Sequence, residues 1–198
     1  MAALGAWILW LGWFGFNGGS ELKVSEVSSA TAVSQVFLNT NMAAAGGVLA
    51  ALFMSLFMTG KMDVTMAING AIAGLVSITA DPLSPAGGTA VIVGAIGGAI
   101  VYFSIVFLEK AGVDDPVGAI SAHGTVGIYG VLVVALTGGA SFMGQLTGVV
   151  MIAAFTYLAS LGTIYVINTV MPIRASDAEQ EAGLDISEVG IEAYPEFK

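Results

Sequence analysis

His123 is the single histidine of a 198-residue chain that has no cysteine. It stands in an apolar stretch long enough to be a membrane helix, where an ionisable side chain is costly and by default marks a pathway. Desolvation favours the neutral imidazole, which can both donate and accept a hydrogen bond. The alternative is a packed histidine that bonds to a neighbouring helix, and the residues alone leave the two interpretations evenly balanced.

The sequence lacks the residues that a metal site or a hydrolytic active site would need. One histidine without any cysteine leaves a zinc ligand set incomplete, so no metal site or cofactor is predicted. The sequence has no nucleophile elbow and no hydrolase-type pair of carboxylates, so an intramembrane enzyme is the weakest hypothesis. There is also no basic patch of the kind that binds nucleic acid.

Two further groups of residues lie where chemistry is plausible. Asp114-Asp115-Pro116 precedes the histidine, and carboxylates followed by proline are typical of a helix N-terminus, so capping explains this motif. Near the N-terminus, Trp13, Phe16, Asn17 and Ser20 close an apolar run. Aromatic residues there are typical of an interfacial belt. The functional alternative is a cation site, because ring faces attract a desolvated cation.

The elements that hold these residues are predicted from composition. The chain is 57% hydrophobic and 10% charged, with a mean hydropathy of +0.91, whereas soluble domains carry about 25% charged residues. This is too little polar surface to cover a water-soluble globule. Because open strands cannot satisfy their backbone in lipid, the predicted fold class is an all-α membrane protein.

Apolar runs predict about six transmembrane helices. The first, at about 22 Å, is short for the ~30 Å hydrocarbon core. The fifth is expected to begin at Pro116, which places His123 about 10 Å along it. Glycines spaced by four, at 70 and 74 and at 94 and 98, indicate helix packing faces. The six runs are residues 2–16, 31–59, 64–80, 89–108, 116–137 and 142–170.

Basic residues predict the orientation. Six crossings place Lys61, Lys110 and Arg174 on the side of the C-terminus and Lys23 on the other, so the C-terminus is expected in the cytoplasm. The predicted domains are a helical bundle over 1–172 and an acidic cytoplasmic tail over 173–198. The tail also carries apolar residues that suit docking onto another surface: Leu184, Ile186, Ile191, Tyr194 and Phe197.

Motifs along the chain resemble the ammonium transporter (Amt/Mep/Rh) family in order and spacing. They are Gly-Trp-Phe-Gly-Phe-Asn-Gly-Gly-Ser at 12–20, Asn-Thr-Asn at 39–41, residues 69–76, Asp114-Asp115-Pro116 with His123-Gly124, and Gly183-Leu184-Asp185 with Gly190 and Ala193-Tyr194. The resemblance covers nearly the whole chain. It includes only the second of the family's two inverted repeats, the last helix and the cytoplasmic tail.

For the substrate pathway, the resemblance implies a pore between the two repeats. Phe16 would be one of two stacked gate rings, and Ser20 would hydrogen-bond ammonium outside. Trp13 would back the outer vestibule. His123 would be one of two pore histidines, and its partner would belong to the other half. Ammonium would lose a proton before it crosses the apolar path, and the proton would follow a separate polar route.

Outside the pathway, the resemblance implies structural or regulatory roles for Asp115, Asp185 and Tyr194. Gly118, where many members carry Asp, and Val189, where the tail often has His, depart from the family pattern. The family further implies the plasma membrane, a trimer of complete pores or a separate N-terminal half, and a nitrogen-regulatory signalling protein at the tail. The leading hypothesis is ammonium transport as the C-terminal half of a pore. The alternative is a non-transporting fragment or regulatory membrane subunit.

Overall fold

A computed structural model of the protein describes residues 1–192 and 194–196. The predicted contributions of Ala193 and Phe197 to the tail therefore lie outside the described residues. By compactness the chain divides into two units, Met1–Val149 and Val150–Lys198, and each is described by itself. The predicted boundary between the helical bundle (1–172) and the acidic tail (173–198) is a different one, because it marks where apolar sequence gives way to acidic sequence. It stays a prediction.

The described residues form helices joined by short turns, and each of the six predicted apolar runs contains a helix, which confirms the fold class. Four of the helices, α2, α4, α5 with the π-helical segment before it, and α6, are long and apolar enough to cross a membrane. α3 has only 16 residues, so the count of about six crossings stays a prediction. The helices are α1 (Ala2–Gly19), α2 (Val27–Thr59), α3 (Val64–Thr79), α4 (Gly87–Lys110), the π-helical segment (Ile120–Thr125), α5 (Val126–Thr137) and α6 (Phe142–Val170).

Polar residues and glycine define the helix ends. Glu26 and Ser29 form a capping box at the start of α2. Gly60 ends α2 with φ of 77°, a left-handed conformation that glycine adopts without steric cost. Asp63 caps α3 by accepting hydrogen bonds from the backbone N–H groups of Thr65 and Met66, at 2.7 and 3.4 Å. These caps explain why α2 and α3 are separate helices despite nearly continuous apolar sequence.

The prediction that the fifth helix begins at Pro116 is wrong. Residues 115–118 form a turn in which the Gly118 N–H donates to the Asp115 carbonyl at 3.0 Å. Gly118 has φ of 72°, and a right-handed helix cannot continue through that conformation. His123 is therefore the fourth residue of the π-helical segment Ile120–Thr125 and does not lie two turns along a helix.

Small residues let α2, α3 and α4 pack backbone against backbone. A Cβ atom at any of Gly70, Gly74, Gly94 or Gly98 would collide with the backbone of α2. The packing faces predicted from the glycine spacing are thus confirmed. Alanines complete this tight interior, and five of them have no exposed surface: Ala43, Ala44, Ala51, Ala73 and Ala90.

The unit Val150–Lys198 contains the second part of α6, then α7 (Asp177–Ala182) and a short π-helical turn at Asp185–Val189. None of the 29 residues of α6 is buried. α7 begins with a capping box in which the Ser176 hydroxyl and the Glu179 carboxylate each accept a backbone N–H. The tail therefore has local helical order of its own.

Candidate functional site

An apolar groove of about 720 Å³ lies within the unit Met1–Val149 and brings together residues that are far apart in sequence. α1 and α3 supply two of its walls. The π-helical segment and α5 supply the third, so the groove lies among three separate elements. It is lined by Ile8, Leu9, Gly12, Trp13, Phe16, Val76, Thr79, Ala80, His123, Gly127 and Val131.

Three rings follow one another in the groove. Trp13 and Phe16 lie three residues apart on α1, a spacing that places them on one face of a helix. Their ring centroids are 6.3 Å apart in an edge-to-face arrangement. The Trp13 ring also lies 6.2 Å from the His123 ring, with the planes inclined by 39°. Trp13 thus contacts both Phe16 and His123.

His123 faces the groove because of the turn that carries it. Its neighbours Ser121 and Ala122 are buried, whereas the imidazole is exposed. Within the part of the chain that the structure describes, the imidazole forms no hydrogen bond, and its ring contact is with Trp13. A histidine packed by a bond to a neighbouring helix would show such a partner, so the geometry favours the pathway interpretation. π-Helical turns are frequent at functional sites.

The Trp13 indole is held by a residue that sequence reasoning missed. Its Nε1–H donates to the Thr79 hydroxyl oxygen at 2.7 Å. The Thr79 hydroxyl in turn donates to the backbone carbonyl of Leu75 at 2.7 Å. The available signal was a threonine at the end of an apolar run, where a hydroxyl needs a partner inside the protein.

Ser20 and Asn17, at the C-terminal end of α1, do not lie with the three rings. The Ser20 hydroxyl is exposed and donates to the Phe16 carbonyl at 3.1 Å. Ser20 does not line the groove. Asn17, buried at 1% exposure, points into the protein and donates to the Thr40 hydroxyl at 3.0 Å. Of the four residues near the end of α1, only Trp13 and Phe16 therefore line the groove.

Asp115 holds the start of the segment that carries His123. One carboxylate oxygen accepts the Ile120 N–H and the other accepts the Ser121 N–H, both at 3.0 Å. Partial burial raises the pKa of Asp115, but these hydrogen bonds to the charged form outweigh it, and the pKa lies below its ordinary value. The aspartate is thus ionised at neutral pH and caps the π-helical segment.

We expect Asp115→Asn to lower the free energy of unfolding by about 1 kcal/mol at neutral pH, because the amide offers one acceptor oxygen where the carboxylate offers two. Since the folded pKa is depressed, this stabilisation is present above the unfolded pKa of about 3.9 and is lost as the pH falls through the folded value. Thermal unfolding in detergent at several pH values measures both effects. Asp114→Asn is the control, and an equal loss in that variant would contradict the assignment.

Gly118, which departs from the family pattern, has a structural explanation. Its φ of 72° is strained for any residue with a side chain. A Cβ atom there would also collide with the Asn69 side chain. This turn therefore requires glycine where the resemblance leads one to expect aspartate.

The tail residues singled out from the sequence lie in the other unit. Asp185 begins the π-helical turn, and one of its carboxylate oxygens accepts the N–H of Ile186 at 3.0 Å. Tyr194 and Leu184 are exposed at 66% and 44%. Among the described residues, no group of three or more His, Cys, Asp or Glu residues could hold a metal ion.

Comparison with known proteins identifies the family. A sequence profile of the Ammonium Transporter Family matches residues 1–194. The chain belongs to the ammonium transporter family. Ammonium transporter Amt2 of Archaeoglobus fulgidus is 36% identical over 217 aligned positions, which cover 99% of this chain and 46% of that protein. The chain spans about half the length of the curated relatives that it matches.

Solved structures of the ammonium transporter family show the same arrangement of helices. A structure titled Sensor Amt Protein has a TM-score of 0.79 at 35% identity and covers 94% of this chain and 48% of that one. Mep2 of Candida albicans has a TM-score of 0.81 at 28% identity, covering 98% and 48%. The similarity therefore extends through almost all of this chain and through half of each family structure.

Proposed function

We propose that this chain is the C-terminal half of a pore that carries ammonium or ammonia across the plasma membrane. The observation that supports the proposal is the apolar groove in which His123 meets Trp13 and Phe16. Its other wall would come from helices that correspond to the remaining half of the relatives, which are named ammonium transporters. The proposed activity is transport and includes no enzymatic step.

In the proposed mechanism, the apolar groove decides which species crosses. An unpaired cation in an apolar environment is strongly disfavoured, so ammonium would release its proton and cross as ammonia. His123 is the only ionisable residue that lines the described groove. Its neutral ring would accept and donate hydrogen bonds to the permeating molecule. The proton would move by a separate polar route.

Phe16 and Ser20 would act at the entrance. Phe16 is 65% exposed within this unit, which leaves its ring available to stack on a second gate ring from the other half. The Ser20 hydroxyl proton goes to the Phe16 carbonyl, so its lone pairs remain free to accept a hydrogen bond from ammonium outside. Trp13 would back the outer vestibule.

We propose a cytoplasmic C-terminus because Lys61, Lys110 and Arg174 lie on its predicted side. Cysteines introduced at Ser187 and Ser25 should react with an impermeant thiol reagent from opposite sides of intact cells. Reaction of both from the same side would contradict this topology.

We propose trimers of complete pores, with the tail as a surface for a nitrogen-regulatory signalling protein. Exposed Leu184 and Ile186 are the residues that such a partner, or the cytoplasmic face of the bundle, would cover. Native mass spectrometry of the complete pore tests the trimer. Slow amide hydrogen exchange at residues 183–192 would support docking, whereas exchange within seconds would refute it.

The experiment that tests transport is ammonium uptake into liposomes by this chain together with the complementary N-terminal half of a relative. We expect uptake with both halves and none with either half alone, because the groove lacks a wall when this chain is alone. A correctly assembled two-half complex without uptake would refute the proposal. The chain would then be better described as a non-transporting membrane module.

A further inference from the structure

Among the described residues that line the groove, Thr79 is the one that holds another lining side chain by a hydrogen bond. It accepts the Trp13 indole N–H at 2.7 Å across 66 positions of sequence. The two residues belong to α1 and α3, so this bond joins two walls of the groove. The Trp13 ring also contacts the rings of Phe16 and His123 and packs against the buried apolar core of this unit, and these contacts are less directional than a hydrogen bond.

The hydroxyl of Thr79 is oriented in advance as an acceptor. A hydroxyl has one proton and two lone pairs. The proton of Thr79 is committed to the Leu75 carbonyl, one helical turn earlier, at 2.7 Å. The lone pairs therefore face away from α3 towards the groove, where the indole N–H meets them. Such chains of hydrogen bonds strengthen each member.

The position of the Trp13 ring decides the space beside His123. The indole contacts both the Phe16 ring and the imidazole, at centroid distances of 6.3 and 6.2 Å. A shift of the indole changes its distance to both rings at once. The space beside the imidazole thus depends on where the indole N–H is held.

We propose that Thr79 is a positioning residue that fixes the Trp13 indole against His123 and thereby sets which amines pass the histidine by their size. The function proposed above assigned no role to Thr79. The selectivity part of the inference rests on that proposed function. The positioning part concerns this chain alone. Thr79 touches the pathway through Trp13 and takes no part in proton transfer.

The positioning part is tested on the chain purified in detergent without a histidine tag. Because His123 is the only histidine, carbethoxylation by diethyl pyrocarbonate reports on its ring alone. In Thr79→Val, which keeps the side-chain shape and removes the acceptor, we expect the reaction rate to change roughly threefold to tenfold, the factor that one net hydrogen bond supports. The Trp13 indole N–H resonance should move upfield in the same variant.

Three further variants serve as controls. Thr79→Ser retains the hydroxyl and should restore the wild-type rate and resonance. Thr147→Val removes a hydroxyl that donates to the Met143 carbonyl at 2.8 Å and holds no ring, so it should change neither. Trp13→Phe removes the N–H from the other side, and Thr79→Val should add nothing to it in the double variant. This non-additivity keeps the test decisive if Thr79→Val alone is poorly stable.

The selectivity part is tested in the complete pore in liposomes. We expect the ratio of methylammonium to ammonium uptake to rise roughly threefold to tenfold in Thr79→Val and to return in Thr79→Ser. Unchanged His123 reactivity and indole resonance in Thr79→Val would overturn the whole inference. A change at His123 with an unchanged uptake ratio would overturn the selectivity role. Absence of uptake by the wild-type pore would instead refute the proposed function, and the measurements on His123 would then decide the positioning role by themselves.

Discussion

Replacement of His123 by alanine is expected to abolish ammonium conduction by the complete pore and to leave its assembly intact. The imidazole is exposed to the groove and forms no hydrogen bond with the described residues, so its removal leaves no buried partner unsatisfied. Initial uptake rates into liposomes, normalised to assembled protein, measure the effect. Ile128→Ala is a matched control, because Ile128 is exposed on α5 and does not line the groove.

Substitution by aspartate or glutamate probes the same position more sharply. A carboxylate keeps a polar side chain but places a fixed negative charge in an apolar groove, which favours an intact cation over ammonia. We therefore expect weaker discrimination between ammonium and potassium in His123→Asp and His123→Glu. Unchanged rate and selectivity in the alanine and carboxylate variants would rule out the pathway role.

The packing hypothesis for His123 makes the opposite prediction. It requires that His123→Ala destabilise the bundle by about 1–3 kcal/mol, the penalty for a buried partner left without its hydrogen bond. Selectivity would then stay as it is in the wild type. Comparison of unfolding midpoints with uptake ratios for the same preparations separates the two hypotheses.

Replacement of Gly94 by alanine is expected to lower the free energy of unfolding by about 3 kcal/mol, at the upper end for overpacked interiors. The added Cβ would collide with the backbone O, C and Cα atoms of Ala43. Ala43 has no exposed surface, and backbone atoms in the middle of α2 cannot move aside as a flexible side chain can. α2 and α4 must therefore separate along their contact.

Thermal unfolding in detergent, followed by tryptophan fluorescence, measures this loss. Gly88→Ala is the control on the same helix, because a Cβ there meets nothing within 4 Å. Alanine is the better helix former of the two residues, so the control should be neutral or slightly stabilising. Similar midpoints for Gly88→Ala and Gly94→Ala would show that the close approach of α2 and α4 does not limit stability.

Hydropathy predicted most of the fold because the transfer of an apolar run into lipid depends on the run itself. Every one of the six apolar runs contains a helix. The ends were less predictable, and the fifth helix shows why. Pro116 is compatible with a first turn, but Gly118 adopts a left-handed conformation two residues later and delays the helix to Ile120. Sequence alone does not specify which conformation a glycine takes.

The residues of the candidate site were likewise only partly predictable from the sequence. His123 was predicted from its residue type, because a lone ionisable side chain in an apolar run is conspicuous in any arrangement of the helices. Thr79 was missed, because threonine is common at helix ends and its significance lies in a bond to a residue 66 positions away. The roles of His123, Phe16, Ser20 and Trp13 in the pathway stay predictions.

By itself, the sequence determined that lipid is the solvent for this chain, that its apolar runs are helices, and that its motifs are those of the ammonium transporter family. These properties follow from composition and local order, which act before any two helices meet. Only the tertiary structure decided that Trp13 contacts both Phe16 and His123 and that Thr79 binds its indole N–H. The reason is geometric, since contacts between helices depend on their relative rotation and spacing. Between α2, α3 and α4, that spacing is set by the backbone contacts that glycines permit.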